Sequence, residues 1–294
     1  MRLSPAQIAE FRRDGFLRLE GAVGPEEIAA LRARVTSILS SSAGHADFSR
    51  DIKYGSIIGE GMNTGNNVCR IEYMLEKGPE FLRLLGHPTV LSVAADLHDD
   101  QIVLTWEDMV VKTPGAGFHV ALHQDLLHQS LPGPVFSIGI YLDSSEHDPL
   151  RIVPGSQELG PLSPAELRRA AETNADRFVE VRAKSGDLVV HNVLAIHESA
   201  PNDSGTVRRV MYFEFRTVMQ VLYQSPWDAE WLRRRLHYIP SAIQFRRLFP
   251  GMDGAHEWED LLHDRRSWLP GVPALPIDDL DLRVHHDPAI RLGA

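Results

Sequence analysis

Between residues 101 and 216 the chain is a succession of short β-branched and aromatic runs, at roughly 101–112, 118–124, 135–142, 151–153, 178–183, 187–191 and 206–216, separated by Gly, Pro, Asn and Asp. That texture leaves little freedom, because many short strands at close spacing bury their apolar sides only by pairing into a sandwich or barrel. One helical interruption is expected near Pro164 to Glu172. Ahead of the block, Ser4-Pro5 with Gln7 marks a capped helix start, Ile8 and Phe11 share a side, and Gly15 ends the element before an extended Phe16-Leu17-Arg18-Leu19. From Pro25, the residues Ile28, Leu31, Val35 and Ile38 recur at the steps of an amphipathic helix. Further helices are expected from Thr89 through Leu97 and from Asp228 to His237. Residues 40–67, rich in Ser, Gly, Asn and Asp, read as loop, and the Pro- and Asp-rich C-terminus reads as a tail over the surface. No repeat or linker divides the chain, so one domain is expected over 1–294: a mainly helical lead-in over 1–100, a β core over 101–216, and a helix and tail over 217–294.

Composition removes several function classes. With 30 Lys and Arg against 40 Asp and Glu, a net charge of −10 and no basic run, a nucleic-acid partner is not expected. No stretch of 18 apolar residues offers a membrane span. The opening MRLSPAQIAEFRRDGF carries charge where a signal peptide is apolar. The single cysteine, Cys69, forms neither an internal disulfide nor a thiolate zinc site. The expectation is a cytoplasmic monomer or homodimer acting on a small molecule.

Most of the 14 histidines are bystanders. The sharpest cluster is His123-Gln124-Asp125 at a short strand-like run, where positions i and i+2 project together and offer a metal two ligands. A third ligand must come from a distant strand, and HNVLAIHESAPNDSGTVRRVMYFEFR offers His191 and His197, then a turn and a long strand carrying Arg208 and Arg209. On this reading one histidine and the arginine of a neighbouring strand look into the same cavity. Two His and one Asp with open positions form the facial triad of non-haem Fe(II) oxygenases.

Four segments then carry a resemblance over most of the chain. LSPAQIAEFRRDGFLRLEGAVGPEEIAALRARV, VVKTPGAGFHVALHQD, LRIVPGSQ and SGDLVVHNVLAIHESAPNDSGTVRR are similar to the lead-in, the His-x-Asp segment, the "PGSH" turn and the distal-His and Arg strands of the phytanoyl-CoA dioxygenase family of Fe(II)- and 2-oxoglutarate-dependent oxygenases. The resemblance implies a mostly β fold with flanking helices, a double-stranded β-helix (a cupin-like jelly roll). It implies Fe(II) held by His123, Asp125 and His197, with 2-oxoglutarate and O2 as cosubstrates. Arg208 matches the partner of the 2-oxoglutarate carboxylate, and Ser199 and Lys112 match positions that contact this cosubstrate in some members. Strand parity independently favours Arg208 over Arg209: Arg208, Val210, Tyr212, Glu214 and Arg216 share one face, while Arg209 shares the other with Met211, Phe213 and Phe215, which suits packing on the N-terminal helices. A guanidinium also grips a carboxylate in a two-pronged way that a lysine does not reproduce.

Gln157 departs from the "PGSH" pattern at a position that is not a ligand, with an expected effect on the cavity edge. Asp125, a carboxylate where related halogenases have Gly or Ala, favours oxygenation. Hydroxylation of a C–H bond in a small organic molecule or natural product, releasing succinate and CO2, is the expected reaction, with desaturation, epoxidation or cyclisation as other outcomes. The rivals are a non-catalytic jelly-roll binding protein and a zinc hydrolase, which gives Arg208 no task. His119, His128 and His191 read as surface, peripheral or cavity-wall groups, and Trp106, Met109, Tyr141 and Tyr212 as core side chains that reach the pocket at most. GEGMNTG at 59–65 lacks phosphate-loop spacing, and HEWEDLLHD at 256–264 lacks the HExxH spacing of a zinc helix.

Overall fold

Alternate side chains of the β-rich segments are apolar on the same side, and the backbone pairs these segments into two sheets. The computed structural model describes residues 2–41, 52–54, 68–98, 101–115, 119–125, 133–223, 227–249 and 272–282. The larger sheet runs β1 (Phe16–Leu19), β9 (Leu188–Asn192), β6 (Phe136–Tyr141), β11 (Arg208–Thr217), β4 (Ile102–Lys112), β3 (Val68–Glu72) and β2 (Ile52–Tyr54). The smaller runs β5 (Val120–His123), β10 (His197–Ser199), β7 (Leu150–Ile152) and β8 (Val179–Val181), and every pairing is antiparallel. Tyr141, Val189 and Val210 of the larger sheet meet Leu150, Ile152 and Val181 of the smaller in a core between the sheets. This is the cupin-like jelly roll with flanking helices.

A second, larger core lies on the outer face of the seven-stranded sheet, where Met211, Phe213 and Phe215 pack against helices. The helices are α1 (Pro5–Asp14), α2 (Pro25–Ser41), α3 (Pro79–Leu85), α4 (Pro88–His98), α5 (Pro164–Thr173), α6 (Val218–Tyr223), α7 (Ala229–Arg235) and α8 (Tyr238–Arg246). The Ser4/Gln7 capping box opens α1, and Gly15 closes it at φ 78°, a left-handed conformation that favours glycine. Ile28, Leu31, Val35 and Ile38 of α2 are all buried, each worth about 1.5–3 kcal/mol of burial. Glu27 takes both terminal nitrogens of Arg246, at 2.7 and 2.8 Å, and Glu107 takes Arg235 at 2.7 Å, so buried ion pairs tie α8 to α2 and α7 to the sheet.

The lead-in is less helical than its composition suggests, since β1, β2 and β3 extend the larger sheet. The sequence reading also missed α3, α6 and α8. Pro240 sits in the first turn of α8, where a missing N–H costs nothing. The 59–65 and 256–264 stretches and His128 lie outside the described residues.

Candidate active site

His123 ends β5, and His197 opens β10 directly opposite it in the ladder. A register shift between His197 and Ser199 breaks the pairing beside them, as bulges next to functional groups do. The chain then turns so that Asp125 donates its backbone N–H to Val193 at 2.8 Å, while Gln124 points away and bonds Gly160, Leu162 and Leu194. Each ligand-type histidine binds the carbonyl two residues before it through Nδ1, His123 to Ala121 at 2.8 Å and His197 to Ala195 at 2.9 Å. Donation through Nδ1 leaves Nε2 with its lone pair, and both Nε2 atoms face Asp125 Oδ1, at 3.2 and 3.9 Å. One ligand atom from each of the three residues falls within 4.8 Å of the others. The other carboxylate oxygen, Oδ2, lies 3.0 Å from His191 Nε2. Burial pushes the Asp125 carboxyl up, but the surrounding imidazoles of His197, His123 and His191 outweigh it and hold the group well below the usual carboxylate range. Burial, with His123 beside it, pulls His197 down to about 3, so its imidazole is neutral and ready to donate a lone pair.

Across the sandwich, Arg208 and Lys112 are direct cross-strand partners on β11 and β4. Arg208 Nη1 donates to the Asp148 carbonyl at 2.6 Å, and its Nε lies 3.2 Å from Asp148 Oδ2. Lys112 Nζ donates to Ser199 Oγ at 2.8 Å, to the Ser199 carbonyl at 3.2 Å and to the Ala200 carbonyl, and lies 3.7 Å from Asp148 Oδ2. All four side chains are buried. Burial, with Arg208 adding to it against the pull of Asp148, lowers the Lys112 ammonium to about 6. His197 and Ser199 share β10, so one short strand serves both clusters. His197 and Arg208 do not sit on neighbouring strands as expected; β10 pairs with β5 and β7, and the arginine comes from the opposite sheet.

The chain matches the phytanoyl-CoA dioxygenase family over residues 11–210. The chain belongs to that family. A curated relative, phytanoyl-CoA dioxygenase domain-containing protein 1 of Danio rerio, is 27% identical over 260 residues, covering 72% of this chain and 89% of the relative. Among solved structures, AviO1 from Streptomyces viridochromogenes Tue57 is 27% identical, with 75% of this chain and 97% of that one matched at a TM-score of 0.60. EvdMO1 is 29% identical at a TM-score of 0.58, with 72% of this chain matched to 50% of that one, so this chain spans half of its length. EctD from S. alaskensis, solved with 2-oxoglutarate and 5-hydroxyectoine, shares the fold at 21% identity and a TM-score of 0.64 over 78% of this chain and 80% of its own; it has also been solved with bound Fe.

The donor set fits the iron that this family implies: two imidazoles oriented through Nδ1 and one carboxylate are the ligand types that would hold a non-haem ferrous ion. Arg209, on the other face of β11, makes a two-pronged pair with Asp143 at 2.7 and 3.0 Å and takes no part in the cavity. Met109 is wholly buried in the helix-side core, and Tyr141 in the core between the sheets. Tyr212 and Trp106 are half-buried: Tyr212 stands edge-on to His191, and Trp106 lies under the Arg70 guanidinium at 5.1 Å. Gly139 faces Tyr212 in the ladder, where a Cβ would come within 2.8 Å of the ring. The Gln157 amide binds the Arg12 and Arg13 carbonyls at 3.3 Å and so ties the PGSQ turn to α1. Sequence reasoning missed three things: the bond from His191 to Asp125, the Arg70–Asp108 ion pair on β3 and β4, and Asp148. Parity along β9 was a usable signal for His191, which shares the inward face with Val189.

Proposed function

We propose that this chain is an Fe(II)- and 2-oxoglutarate-dependent dioxygenase that hydroxylates a C–H bond of a small organic molecule. The observation that carries the reading is the pairing of two clusters in one fold: the His123–Asp125–His197 donor set and the buried Arg208–Lys112 pair of basic side chains, linked through β10. When bound, a ferrous ion chelating 2-oxoglutarate supplies the oxidising power for dioxygen-dependent C–H cleavage, with release of succinate and CO2. The residues do the rest. His123 and His197 offer Nε2 and Asp125 offers Oδ1, while His191 fixes the carboxylate's rotation through Oδ2. Arg208 and Lys112 receive the far carboxylate of the cosubstrate in a dry pocket where charge-assisted hydrogen bonds are strong. Ser199 Oγ, already 2.8 Å from Lys112 Nζ, orients that ammonium. A zinc hydrolase reading leaves this second cluster without a task. The helices and both sheets serve as one domain in this account.

Iron-loaded protein incubated with 2-oxoglutarate in air is expected to form succinate, slowly when no substrate is present, and Asp125→Ala is expected not to. Folded, iron-loaded parent protein that leaves 2-oxoglutarate intact contradicts the reading.

A further inference from the structure

Asp148 lies between β6 and β7 in a Ser- and Asp-rich turn, yet its side chain is only 3% exposed and points at both cations of the anchor cluster. The pocket therefore sets two basic side chains, Arg208 and Lys112, against one carboxylate. The resident contact is also incomplete: Arg208 Nε and Asp148 Oδ2 are 3.2 Å apart, but neither finds a hydrogen-bond partner, and both are buried. Arg209, one residue along, shows what a completed pair looks like, with Nε and Nη2 each on a separate oxygen of Asp143. Buried polar atoms are nearly always satisfied, so an orphaned donor and acceptor facing each other mark a place built for another group.

We propose that Asp148 is a resident carboxylate in the cosubstrate's anchor pocket, which holds Arg208 and Lys112 in the empty protein and weakens the binding of a ligand carboxylate that comes to share them. The proposal rests on the reading of Arg208 as the 2-oxoglutarate anchor. Two physical consequences pull in opposite directions. In the empty protein Asp148 offsets the buried Arg208 charge, and its loss leaves that charge uncompensated. In the complex its charge stands close to the incoming carboxylate, and like charges at short range in a buried site repel strongly. Burial raises the Asp148 carboxyl while Arg208 and Lys112 hold it back, in keeping with a group whose ionisation is contested at this spot. A residue that only shapes the pocket would lower stability and affinity together; Asp148 is expected to move them apart.

The test is calorimetric titration, without oxygen, of Fe(II)-loaded parent and Asp148→Asn protein with two ligands. One is 2-oxoglutarate; the other is 2-oxobutyrate, a 2-oxo acid without the distal carboxylate. Asp148→Asn, isosteric and able to keep the backbone contact to Arg208, is expected to melt at a lower temperature and bind 2-oxoglutarate about fivefold more tightly or better. Its affinity for 2-oxobutyrate is expected to stay within about twofold of the parent's. Asp148→Glu, which pushes the carboxylate further in, is expected to weaken 2-oxoglutarate alone, and it serves if the amide does not fold. Unchanged or weaker 2-oxoglutarate binding by Asp148→Asn, or equal shifts for the two ligands, overturns the proposal. Arg208→Ala in the same titration separates the two levels: parent-like 2-oxoglutarate binding there sinks the anchor reading itself, whereas its loss leaves the Asp148 result to stand or fall alone.

Discussion

Arg208 and Arg209 are adjacent on β11, both buried, and each faces an aspartate, but they point to opposite faces of the sheet and end in different chemistry. On the helix side Arg209 closes two hydrogen bonds with Asp143 and reaches back to the Arg32 carbonyl of α2. It is a finished structural contact. On the cavity side Arg208 has one good bond, to a backbone carbonyl, and its Nε faces an aspartate oxygen without bonding it. One strand thus builds stability on one face and a place for a ligand on the other, and what separates the two is whether the buried donors are satisfied.

The comparison breaks most severely at the metal end. His123→Ala is expected to abolish both Fe(II) and 2-oxoglutarate binding, because the cosubstrate chelates through the metal; retained Fe(II) affinity by metal titration counts against His123 as a ligand. Next, Arg208→Ala is expected to keep Fe(II) but lose roughly 100-fold in 2-oxoglutarate affinity, in line with a buried charge-assisted pair. Arg209→Ala should do the reverse. Its folded fraction binds 2-oxoglutarate normally, while chemical denaturation shows a loss of about 2 kcal/mol, since Asp143 loses two charge-assisted hydrogen bonds but keeps Arg32 at 3.0 Å. Equal effects of the two substitutions on both readouts would erase the distinction between the faces. His191→Ala is expected to lower Fe(II) affinity about tenfold without touching the Arg208 cluster, the usual size of an effect from a partner that orients a ligand.

The smallest effect expected is a pH dependence. With its pKa drawn down to about 6 in the empty pocket, Lys112 is largely neutral at pH 7.5. A ligand carboxylate favours the ammonium and raises that pKa, so binding takes up a proton above pH 6 and 2-oxoglutarate affinity falls as pH rises from there, by a fewfold per unit. Below about 6 the lysine is charged in both states and this dependence disappears. Titrations in buffers of different ionisation enthalpy read the proton uptake directly, and its absence at pH 7.5 removes Lys112 from the anchor.

Much of this was legible in the residues. The alternation Arg208, Val210, Tyr212 against Arg209, Met211, Phe213 set the two faces of β11, and the His-x-Asp spacing set two side chains on one side of a strand end. What stayed hidden depended on contacts distant in sequence. β10 is three residues long and carries no periodic signal of its own, so its place in the smaller sheet, opposite rather than beside β11, came only from pairing. β3 has Cys69 and Arg70 at its centre and does not stand out as a strand until β4 covers it. Asp148 sits in a stretch whose composition says only turn, and its partner lies 60 residues away.

The most direct test of the central claim is an anaerobic titration of the metal-free protein with Fe(II) and then 2-oxoglutarate, followed in the visible range. The account predicts a metal-to-ligand charge-transfer band that saturates near one equivalent of 2-oxoglutarate in the parent and in Arg209→Ala, and needs far more in Arg208→Ala. Folded, iron-loaded protein that gives no band, or a band with the same midpoint in Arg208→Ala as in the parent, would contradict it.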